Sequence, residues 1–458
     1  MRTLLIYIML VFTFSLCLGK DKTKPPHIIL IYVDDMGIGD ASYTNGAVTT
    51  TPNIDKLAQN GKIFTQYYTN APVCSPSRVA ITTGMYPMRW NINTFLSSKK
   101  HNRLCDQSDY LDASAPSMAK ILKSAGYQTA HIGKWHMGGG RDVHSAPSIT
   151  AYGFDEVCST YESPNPDPLL TSKNWIWAPT DSIRRWERTA YFVDKTLDFL
   201  DRNSNQACFV NLWPDDVHSP WVPTEQVERA GKKEFFKLQN LQPVLDEFDT
   251  QIGRLIQGLK ERGLYENTLI IFTSDNGPAP SFDRLRTNQK RGVKNSLYEG
   301  GINMPFFVHW PAKIKSGQVD STSIIAAFDI LPSLLNLTDS DLPKHTHLDG
   351  EDISKSLFGN QTYKRKKEIM WDYGRTPKHN FPKNGDASLQ LALREGKWKF
   401  FTVPDGSKVE LYDLSKDPNE KVDISEQYPR LVKKFKAKTI RWYQETDKSE
   451  VKEYLVAQ

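Results

Sequence analysis

The residues that most clearly suggest chemistry are those of the run Cys-Ser-Pro-Ser-Arg, which begins at Cys74. A thiol attacks as its thiolate, which a neighbouring histidine usually stabilises, and Arg78 is the only polar partner that this run fixes. The structural alternative is a buried thiol in a turn at Pro76, with Ser77 capping the helix that follows. The chain has only five cysteines, so a run this particular favours a reactive position at Cys74.

Acidic side chains follow two apolar runs of the sequence. Asp34 and Asp35 come directly after a run that ends at Val33, and Asp275 and Asn276 follow a second run. Continuous apolar runs are typical of strands buried on both faces of a parallel sheet, and ligands bind at the carboxyl ends of such strands. Three carboxylates and an amide supply oxygen ligands, which suit calcium better than zinc. The sequence therefore predicts a calcium site at this edge.

Basic side chains follow further strand-like runs. Lys134 and His136 come after one of them, His218 after another, and Lys294 lies in a segment that leads to a Glu-Gly-Gly run. Taken alone, Lys134 could be exposed and His136 could be a structural histidine beside a core Trp135. Taken together, these cations are suited to an anion, as is the amino end of the helix expected after Cys74.

These motifs together resemble the sulfatase family. The resemblance covers nearly the whole chain after its first residues, and Ile81 replaces the family's usual leucine, which conserves volume. The matching runs, in chain order, are D-D-x-G-x-G from Asp34, C-S-P-S-R from Cys74, G-K-W-H from Gly133, H-x-P from His218, S-D-N-G from Ser274, E-G-G from Glu299 and L-Y-D-L-x-x-D-P-x-E from Leu411.

The resemblance implies a nucleophile and a metal site. In the family, a maturation enzyme oxidises the cysteine of the signature to formylglycine, and the hydrated aldehyde attacks sulfur. Transferred to this chain, Cys74 is the modified residue and Arg78 holds its hydrated form. The calcium ligands that the resemblance implies are Asp34, Asp35, Asp275, Asn276 and the modified Cys74.

The resemblance also assigns roles to the cations. Lys134, Lys294 and His218 would neutralise the sulfate oxygens, and His218 or Lys294 would protonate the departing alcohol. His136 would take the second hydroxyl proton, so that the aldehyde reforms and sulfate leaves. The spacing in this segment varies within the family, so Lys290 and Arg291 remain alternatives to Lys294.

Two other functions are compatible with the same residues. A phosphate or phosphonate ester hydrolase of the wider alkaline phosphatase superfamily would use a similar metal site. A non-catalytic glycan-binding relative would need fewer of the charged positions. Turnover of matched sulfate and phosphate esters separates the first of these functions from a sulfatase, and mass spectrometry of the Cys74 peptide addresses the second.

A sulfated carbohydrate is the expected substrate. The segment 138–181 is rich in Gly, Pro, Ser and Asn and contains Trp175 and Trp177, which suits a substrate wall as well as a core. Polar loop residues are candidate sugar contacts, although each could simply be an exposed loop residue. These candidates are Asp215, Asp216, Arg375 and His379, of which Asp215 and Asp216 are expected in a solvated loop.

The bulk properties are those of a folded globular protein. The chain has 458 residues, 39% apolar, and a net charge of +5, without a long basic run interleaved with aromatics, so no nucleic-acid partner is expected. Residues 1–19 form a basic start, an apolar stretch and a small-residue exit, which predicts a signal peptide and a periplasmic or extracellular protein. The stretch is too short for a membrane span, and lipidation at Cys17 is the less favoured alternative.

The order of the motifs predicts an α/β protein. We expect a large, mixed, mostly parallel sheet sandwiched by helices, with an alkaline phosphatase-like fold implied by the resemblance. A catalytic domain over residues 20–362 and a smaller α+β domain over residues 363–458 are predicted, since one core rarely serves so long a chain. One strand is expected over residues 62–68. Cys105 and Cys158 are the only pair considered for a disulfide.

Overall fold

The computed structural model describes residues 24–170, 176–342, 346–383 and 385–446. The predicted signal peptide and Trp175 lie outside these ranges. Within them, no helix combines the length and the apolar character that crossing a membrane requires.

The described residues form strands and helices in alternation over the first three quarters of the chain. The strands are β1 (His27–Val33), β2 (Lys62–Phe64), β3 (Tyr67–Tyr68), β4 (Gln128–Gly133), β5 (Glu156–Ser159), β6 (Cys208–Trp213), β7 (Thr268–Ser274), β8 (Phe306–His309), β9 (Gln318–Asp320), β10 (Ile325–Ala326), β11 (Ile369–Asp372), β12 (Leu391–Glu395), β13 (Trp398–Thr402) and β14 (Val409–Asp413). The helices are α1 (Pro52–Gln59), α2 (Cys74–Thr83), α3 (Lys99–Leu104), α4 (Met118–Ser124), α5 (Arg188–Arg202), α6 (Glu225–Ala230), α7 (Leu238–Glu261), α8 (Glu299–Ile302), α9 (Ile330–Thr338), α10 (Ser354–Leu357) and α11 (Pro429–Glu445).

The main sheet has eight strands in the order β5-β4-β6-β1-β7-β8-β2-β9. The five strands from β5 to β7 run parallel, whereas β8 is antiparallel to both of its neighbours. The prediction of a mixed, mostly parallel sheet is therefore confirmed. Because β1, β4, β6 and β7 share one direction, their carboxyl ends lie at the same edge.

Helices cover both faces of this sheet. Along β1, Ile28 and Leu30 belong to one apolar cluster, and Ile29 and Ile31 belong to another. The first cluster also contains side chains of α4 and α9, and the second contains side chains of α5 and α7. Successive side chains of a strand point to opposite faces, so an uninterrupted apolar run is what such a central strand requires.

Two local predictions are wrong. The expected single strand over residues 62–68 divides, because Thr65 N–H donates to Asp320 O (3.1 Å) while Gln66 O accepts from Ile325 N–H (2.9 Å). Thus β2 joins the main sheet and β3 pairs with β10. The segment 138–181, expected as a loop, contributes the edge strand β5, whose first residue is exposed.

The two cysteines considered for a disulfide are both free. Cys105 Sγ lies 3.5 Å from His101 Nε2, and Cys158 Sγ lies 3.5 Å from Asp167 Oδ2. The pairing considered from the sequence is therefore wrong.

The carboxyl-terminal part of the chain forms a second, antiparallel sheet in the order β11-β12-β13-β14. Helix α11 packs on it through the fully buried Phe435, as expected for a small α+β unit. Its core also includes Tyr68 and Val73 from the first half of the chain. The boundary between residues 362 and 363 remains a prediction.

Candidate active site

The ends of β1 and β7 bring the predicted acidic residues together. Asp35 N–H donates to Asp275 Oδ1 (3.0 Å), and Asn276 Nδ2 donates to Asp35 Oδ1 (2.7 Å). Asp34, Asp35, Asp275 and Asn276 are all at most 1% exposed. Asp35 has a φ of 59°, a left-handed backbone that costs a non-glycine residue about 1–3 kcal/mol and often occurs at functional sites.

Cys74 is the first residue of α2, beside these acids. Its Sγ lies 3.5 Å from Asp34 Oδ1 and 3.4 Å from Lys134 Nζ. Burial raises the pKa of the thiol well above its ordinary range, although Lys134 and Lys294 oppose the shift. An unmodified Cys74 would therefore remain a protonated thiol at neutral pH, which disfavours the thiolate alternative.

Arg78, one turn further along α2, holds the strand ends in position. It is fully buried, and its Nη2 donates to Asp275 Oδ2 (2.7 Å) and Asp34 Oδ1 (3.2 Å), while Nη1 donates to Lys134 O (2.8 Å). The guanidinium also packs 5.2 Å from the ring of Trp213. Because the residues directly after β1, β4 and β7 all supply acceptors, this one side chain fixes the strand ends relative to Cys74.

Lys134 follows β4 at a turn that only glycine allows. Gly133 has a φ of 115°, and a Cβ there would lie 2.1 Å from Trp213 O. The turn directs Lys134 Nζ to Asp34 Oδ2 (2.7 Å). Burial lowers the pKa of Lys134, but Asp34 and Cys74 together outweigh burial and raise the pKa to about 12. Lys134 is therefore a fixed cation.

Lys294 and His218 lie together on the other acid. Lys294 Nζ donates to both carboxylate oxygens of Asp35 (2.7 and 2.8 Å) and lies 3.1 Å from His218 Nε2. Burial opposes the charge on Lys294, yet Asp35 raises its pKa above the ordinary value. Burial lowers the pKa of His218 to about 4, so the ring is neutral. Of the three cations considered in this segment, Lys294 is the one that reaches the acids.

His136 has a partner that the sequence did not suggest. Its Nε2 contacts Glu162 Oε2 and lies 3.0 Å from Leu96 O. Glu162 also accepts from Arg141 Nη2 (2.7 Å). Burial lowers the pKa of His136, and the Glu162 carboxylate opposes that shift. Glu162 and Arg141 were missed because they lie in the segment 138–181, outside every recognised motif.

The residues around Cys74 fit a hard cation. Asp34, Asp35, Cys74 and His218 each offer one ligand atom within 4.8 Å of the others. This group contains His218, which was not predicted as a ligand. Asp275 and Asn276 were predicted as ligands. They contact this group through their hydrogen bonds with Asp35.

The ligand chemistry favours calcium. Asn276 Oδ1 is buried without a hydrogen-bond partner among the described residues, as expected for an oxygen reserved for an ion. Burial raises the pKa of Asp275 to about 7 although Arg78 opposes it, which a bound cation would reverse. An oxygen-rich set of this kind suits calcium.

A cavity of about 300 Å³ opens over Cys74. Five predicted catalytic side chains line this cavity: Cys74, Lys134, His136, His218 and Lys294. The other lining residues are Asp35, Val73, Phe95, Arg141, Thr160, Glu162, Ile176, Ser219, Ala279, Asn295 and Asn380. Arg78 lies beneath Cys74 and outside this lining. The structure thus brings all the predicted catalytic residues to one place.

Asp215 and Asp216, predicted in a solvated loop as sugar contacts, are buried instead. Asp215 Oδ2 accepts from Arg188 Nη1 (2.7 Å) and is 3.0 Å from Arg185 Nη1. Asp216 Oδ2 accepts from the Thr189 N–H (2.9 Å). Arg185, which lies just before α5, and Arg188, its first residue, therefore neutralise these acids, and neither acid lines the cavity.

Arg375 and His379 do not line the cavity either. Arg375 Nε donates to Asp372 Oδ2 (2.6 Å). His379 is buried and its ring packs 5.3 Å from the ring of Tyr373. Tyr373 OH donates to Asn295 Oδ1 (2.8 Å), and Asn295 does line the cavity. His379 thus lies one layer behind the wall and supports it.

Comparison with known proteins agrees with this geometry. The sulfatase family model matches residues 26–340, and the model of the N-sulphoglucosamine sulphohydrolase C-terminal region matches residues 292–446. The chain therefore belongs to the sulfatase family and is a sulfuric ester hydrolase.

Individual relatives span most of the chain. N-acetylgalactosamine-6-O-sulfatase of Bacteroides thetaiotaomicron is 28% identical over 91% of this chain and 93% of the relative. Human arylsulfatase A is 28% identical over 90% of this chain and 85% of the relative. A solved structure described with the metabolism of multiple glycosaminoglycans by Bacteroides thetaiotaomicron is 27% identical, with a TM-score of 0.72, over 90% of this chain and 98% of that chain.

Proposed function

We propose that this sulfatase removes a sulfate ester from a sulfated saccharide, with formylglycine made from Cys74 and one calcium ion. The observation that carries the proposal is the cavity in which Cys74 faces two lysines and two histidines above buried acids. The relative that acts, by name, on 6-O-sulfated N-acetylgalactosamine supports a sugar substrate.

Two groups would supply the reactive chemistry. Calcium held by Asp34, Asp35, Asp275, Asn276 and the modified residue 74 would polarise a sulfate oxygen, and the hydrated aldehyde would supply the attacking hydroxyl. Arg78 keeps residue 74 and the acids in register through its three hydrogen bonds.

The lysines bind and orient the sulfate group. Lys134 and Lys294 are fixed cations that contact different acids, Lys134 on Asp34 and Lys294 on Asp35. When their acids hold the metal, their N–H groups can donate to sulfate oxygens. Donors already in position stabilise the charge that develops on those oxygens without reorganisation.

The two histidines would serve two different proton transfers. His218 Nδ1 lies against Ser219 O, so its Nε2 faces Lys294, and the pair can deliver a proton to the departing alcohol oxygen. His136 is neutral in its buried position and is held by Glu162, so it can accept a proton from the hydroxyl at residue 74.

Secretion and maturation belong to the same proposal. Residues 1–19 would direct the chain to the periplasm or the exterior, where sulfated polysaccharides are encountered. A formylglycine-generating enzyme would act on the C-S-P-S-R run before folding is complete, because Cys74 is only 2% exposed in the folded chain.

A matched substrate panel tests the proposed function. We expect turnover of an oligosaccharide containing 6-O-sulfated N-acetylgalactosamine, with product positions assigned by NMR. The comparison substrates are a 4-O-sulfated isomer, a small aryl sulfate and the phosphate ester of the same sugar. Refusal of every sugar sulfate with efficient aryl sulfate turnover would overturn the carbohydrate substrate, and preference for the phosphate ester would favour a phosphohydrolase.

A further inference from the structure

A second cavity, of about 470 Å³, lies between the main sheet and the carboxyl-terminal sheet. It shares no lining residue with the cavity over Cys74. Residues of the β2–β3 connection and of segment 321–324 form one side, and residues of β12 and the segment after β14 form the other. Its volume is within the range of cavities that hold small ligands.

An unpaired cation lines this cavity. Arg394 is only 4% exposed, and its Nη2 donates to Gln66 Oε1 (2.8 Å). Its Nε and Nη1 are buried without a hydrogen-bond partner in the described part of the chain, and no described carboxylate lies within ion-pair distance. The Glu299 carboxylate lines the same cavity and interacts with Arg394 electrostatically, but it lies beyond ion-pair distance. Because a buried charge without a direct ion pair is unfavourable, the two unpartnered nitrogens of this guanidinium favour an added anion.

The neighbouring charges leave a positive surplus. Glu299 and Glu420 are occupied by the buried Lys399, at 3.1 and 3.5 Å. Burial raises the pKa of Glu420 to about 7, which leaves it partly protonated. Lys290 lines the same cavity and interacts electrostatically with Glu299 and Glu420, but it forms no ion pair within 4.0 Å of a described residue. Arg394 and Lys290 are therefore both available to an anionic group.

Acceptors and hydroxyls accompany the two cations. Asn303 lines the cavity, and its buried Oδ1 has no hydrogen-bond partner among the described residues. Ser321, Thr322 and Ser415 add hydroxyl groups. A simple inorganic anion would use the donors but not the orphaned acceptor, whereas a sugar hydroxyl would donate to it.

We propose that this cavity is a second binding site for an anionic sugar unit. The sulfate or carboxylate group of the sugar would lie on Arg394 and Lys290, and its hydroxyls on Asn303 and the surrounding hydroxyl side chains. The choice of a saccharide rests on the proposed function, while the need for an anion rests on Arg394 alone. Such a site would hold a polymeric substrate at a point distant from the reacting ester.

Calorimetric titration of the calcium-loaded Cys74→Ala chain tests the site without turnover. The probe is a chondroitin 6-sulfate tetrasaccharide, and the separate arms are a desulfated tetrasaccharide and sodium sulfate. Arg394→Gln and Lys290→Gln are each expected to weaken one class of tetrasaccharide binding about 10-fold or more, as loss of a charged contact does. Lys397→Gln is the matched control, because Lys397 lines the same cavity but is paired with Asp413 (2.6 Å).

The outcomes separate this site from the active site. The expected result also includes unchanged aryl sulfate turnover when Arg394→Gln or Lys290→Gln is made in the chain that retains Cys74. Binding that is insensitive to both substitutions overturns the second site, as does binding of sodium sulfate without the tetrasaccharides. If the sulfated tetrasaccharide binds and the desulfated tetrasaccharide does not, the anionic group is the sulfate, which supports the proposal. Failure of the proposed function would be seen separately, as absence of sugar sulfate turnover.

Discussion

At the residue scale, each predicted acid of the active site has a cation in contact with it. Asp34 faces Lys134 and Asp35 faces Lys294, while Arg78 bridges Asp34 and Asp275. Burial alone would raise the pKa of Asp34 and Asp35. Lys134, His218 and Arg78 nevertheless hold the pKa of Asp34 below its ordinary range, and His218 and Lys294 do the same for Asp35. Asp34 and Asp35 therefore stay ionised and able to bind a metal at neutral pH, whereas burial raises the pKa of Asp275 to about 7 and leaves it partly protonated without a cation.

Calcium binding discriminates between the acids and the histidine of the cluster. Asp35→Asn should weaken calcium binding by about 100-fold or more, because it removes the negative charge of a ligand carboxylate that is ionised at neutral pH. His218→Gln should retain the ion, since His218 faces Lys294. Calcium-dependent thermal stabilisation, measured with and without a chelator, reports both variants. Equal calcium affinity in Asp35→Asn would contradict the assignment.

Glu162 is expected to position His136. Glu162→Gln should lower kcat about 10-fold, because a less basic His136 accepts a proton less readily. The Glu162 carboxylate raises the pKa of His136, so its removal should move the acid limb of the kcat profile to lower pH. Arg141→Gln, which removes the other partner of Glu162, should leave that limb nearly in place. An acid limb at the same pH in Glu162→Gln would contradict this role.

The sequence identified residues that belong to contiguous motifs. Cys74, Arg78 and Lys134 could be found because short runs of fixed order carry them. Glu162 could not, since its partnership with His136 depends on how the segment 138–181 folds back. The prediction of Asp215 as a sugar contact was wrong for a related reason: nothing near it in sequence shows that Arg185 and Arg188 pair with it and bury it.

At the element scale, long buried strands were predictable and short edge pieces were not. The bounds of β1 and β6 agree with their apolar runs because both faces of these strands are covered. By contrast, β5 is a four-residue edge strand with a charged start, and its residues carry no alternation or apolar run. The split between β2 and β3 depends on pairing with Asp320 and Ile325, which are distant in sequence.

His131 on β4 makes this strand sensitive to acid. Its ring is fully buried 5.1 Å from the rings of Trp135 and Trp213, and neither ring nitrogen has a hydrogen-bond partner in the described chain. Burial lowers its pKa from 6.5 to about 3, with Arg78 adding to the shift. The unfolded chain therefore binds the proton first, and the free energy of unfolding falls as pH drops from 6.5 towards 3.

His131→Phe should remove part of that acid sensitivity. The slope of unfolding free energy against pH between 6 and 4 should decrease by up to about 1.4 kcal/mol per pH unit. Stability at neutral pH should change by less than about 1.5 kcal/mol, since an apolar ring replaces a neutral one of similar size. Urea unfolding over this pH range gives the slope, with the exposed His144→Gln as control. An unchanged slope in His131→Phe would show that another group titrates.

At the scale of the whole molecule, the two sheets share a core. Trp371 on β11 donates its Nε1–H to Thr69 O (2.8 Å), and Thr69 Oγ1 donates to Asp275 O (2.7 Å). The carboxyl-terminal sheet is therefore linked through one residue to a predicted metal ligand. The proposed boundary at residue 362 is a boundary of sheets, while the apolar cluster continues across it.

We expect the described chain to unfold as one unit despite its size. Calorimetry of the calcium-loaded protein should give a single transition, because separating the sheets would expose Trp371 and the apolar cluster around it. Trp371→Phe should lower the transition temperature without splitting it. Two resolved transitions in the unmodified chain would show that residues 363–458 fold independently.

Peptide mass spectrometry of Cys74 in active enzyme tests the central claim most directly. The enzyme is made in a host with the formylglycine-generating system, and its specific activity is compared with the fraction of residue 74 found as aldehyde. We predict that activity rises in proportion to this fraction, and that Cys74→Ala has no turnover while retaining calcium. Fully active enzyme in which residue 74 is entirely a thiol would contradict the claim.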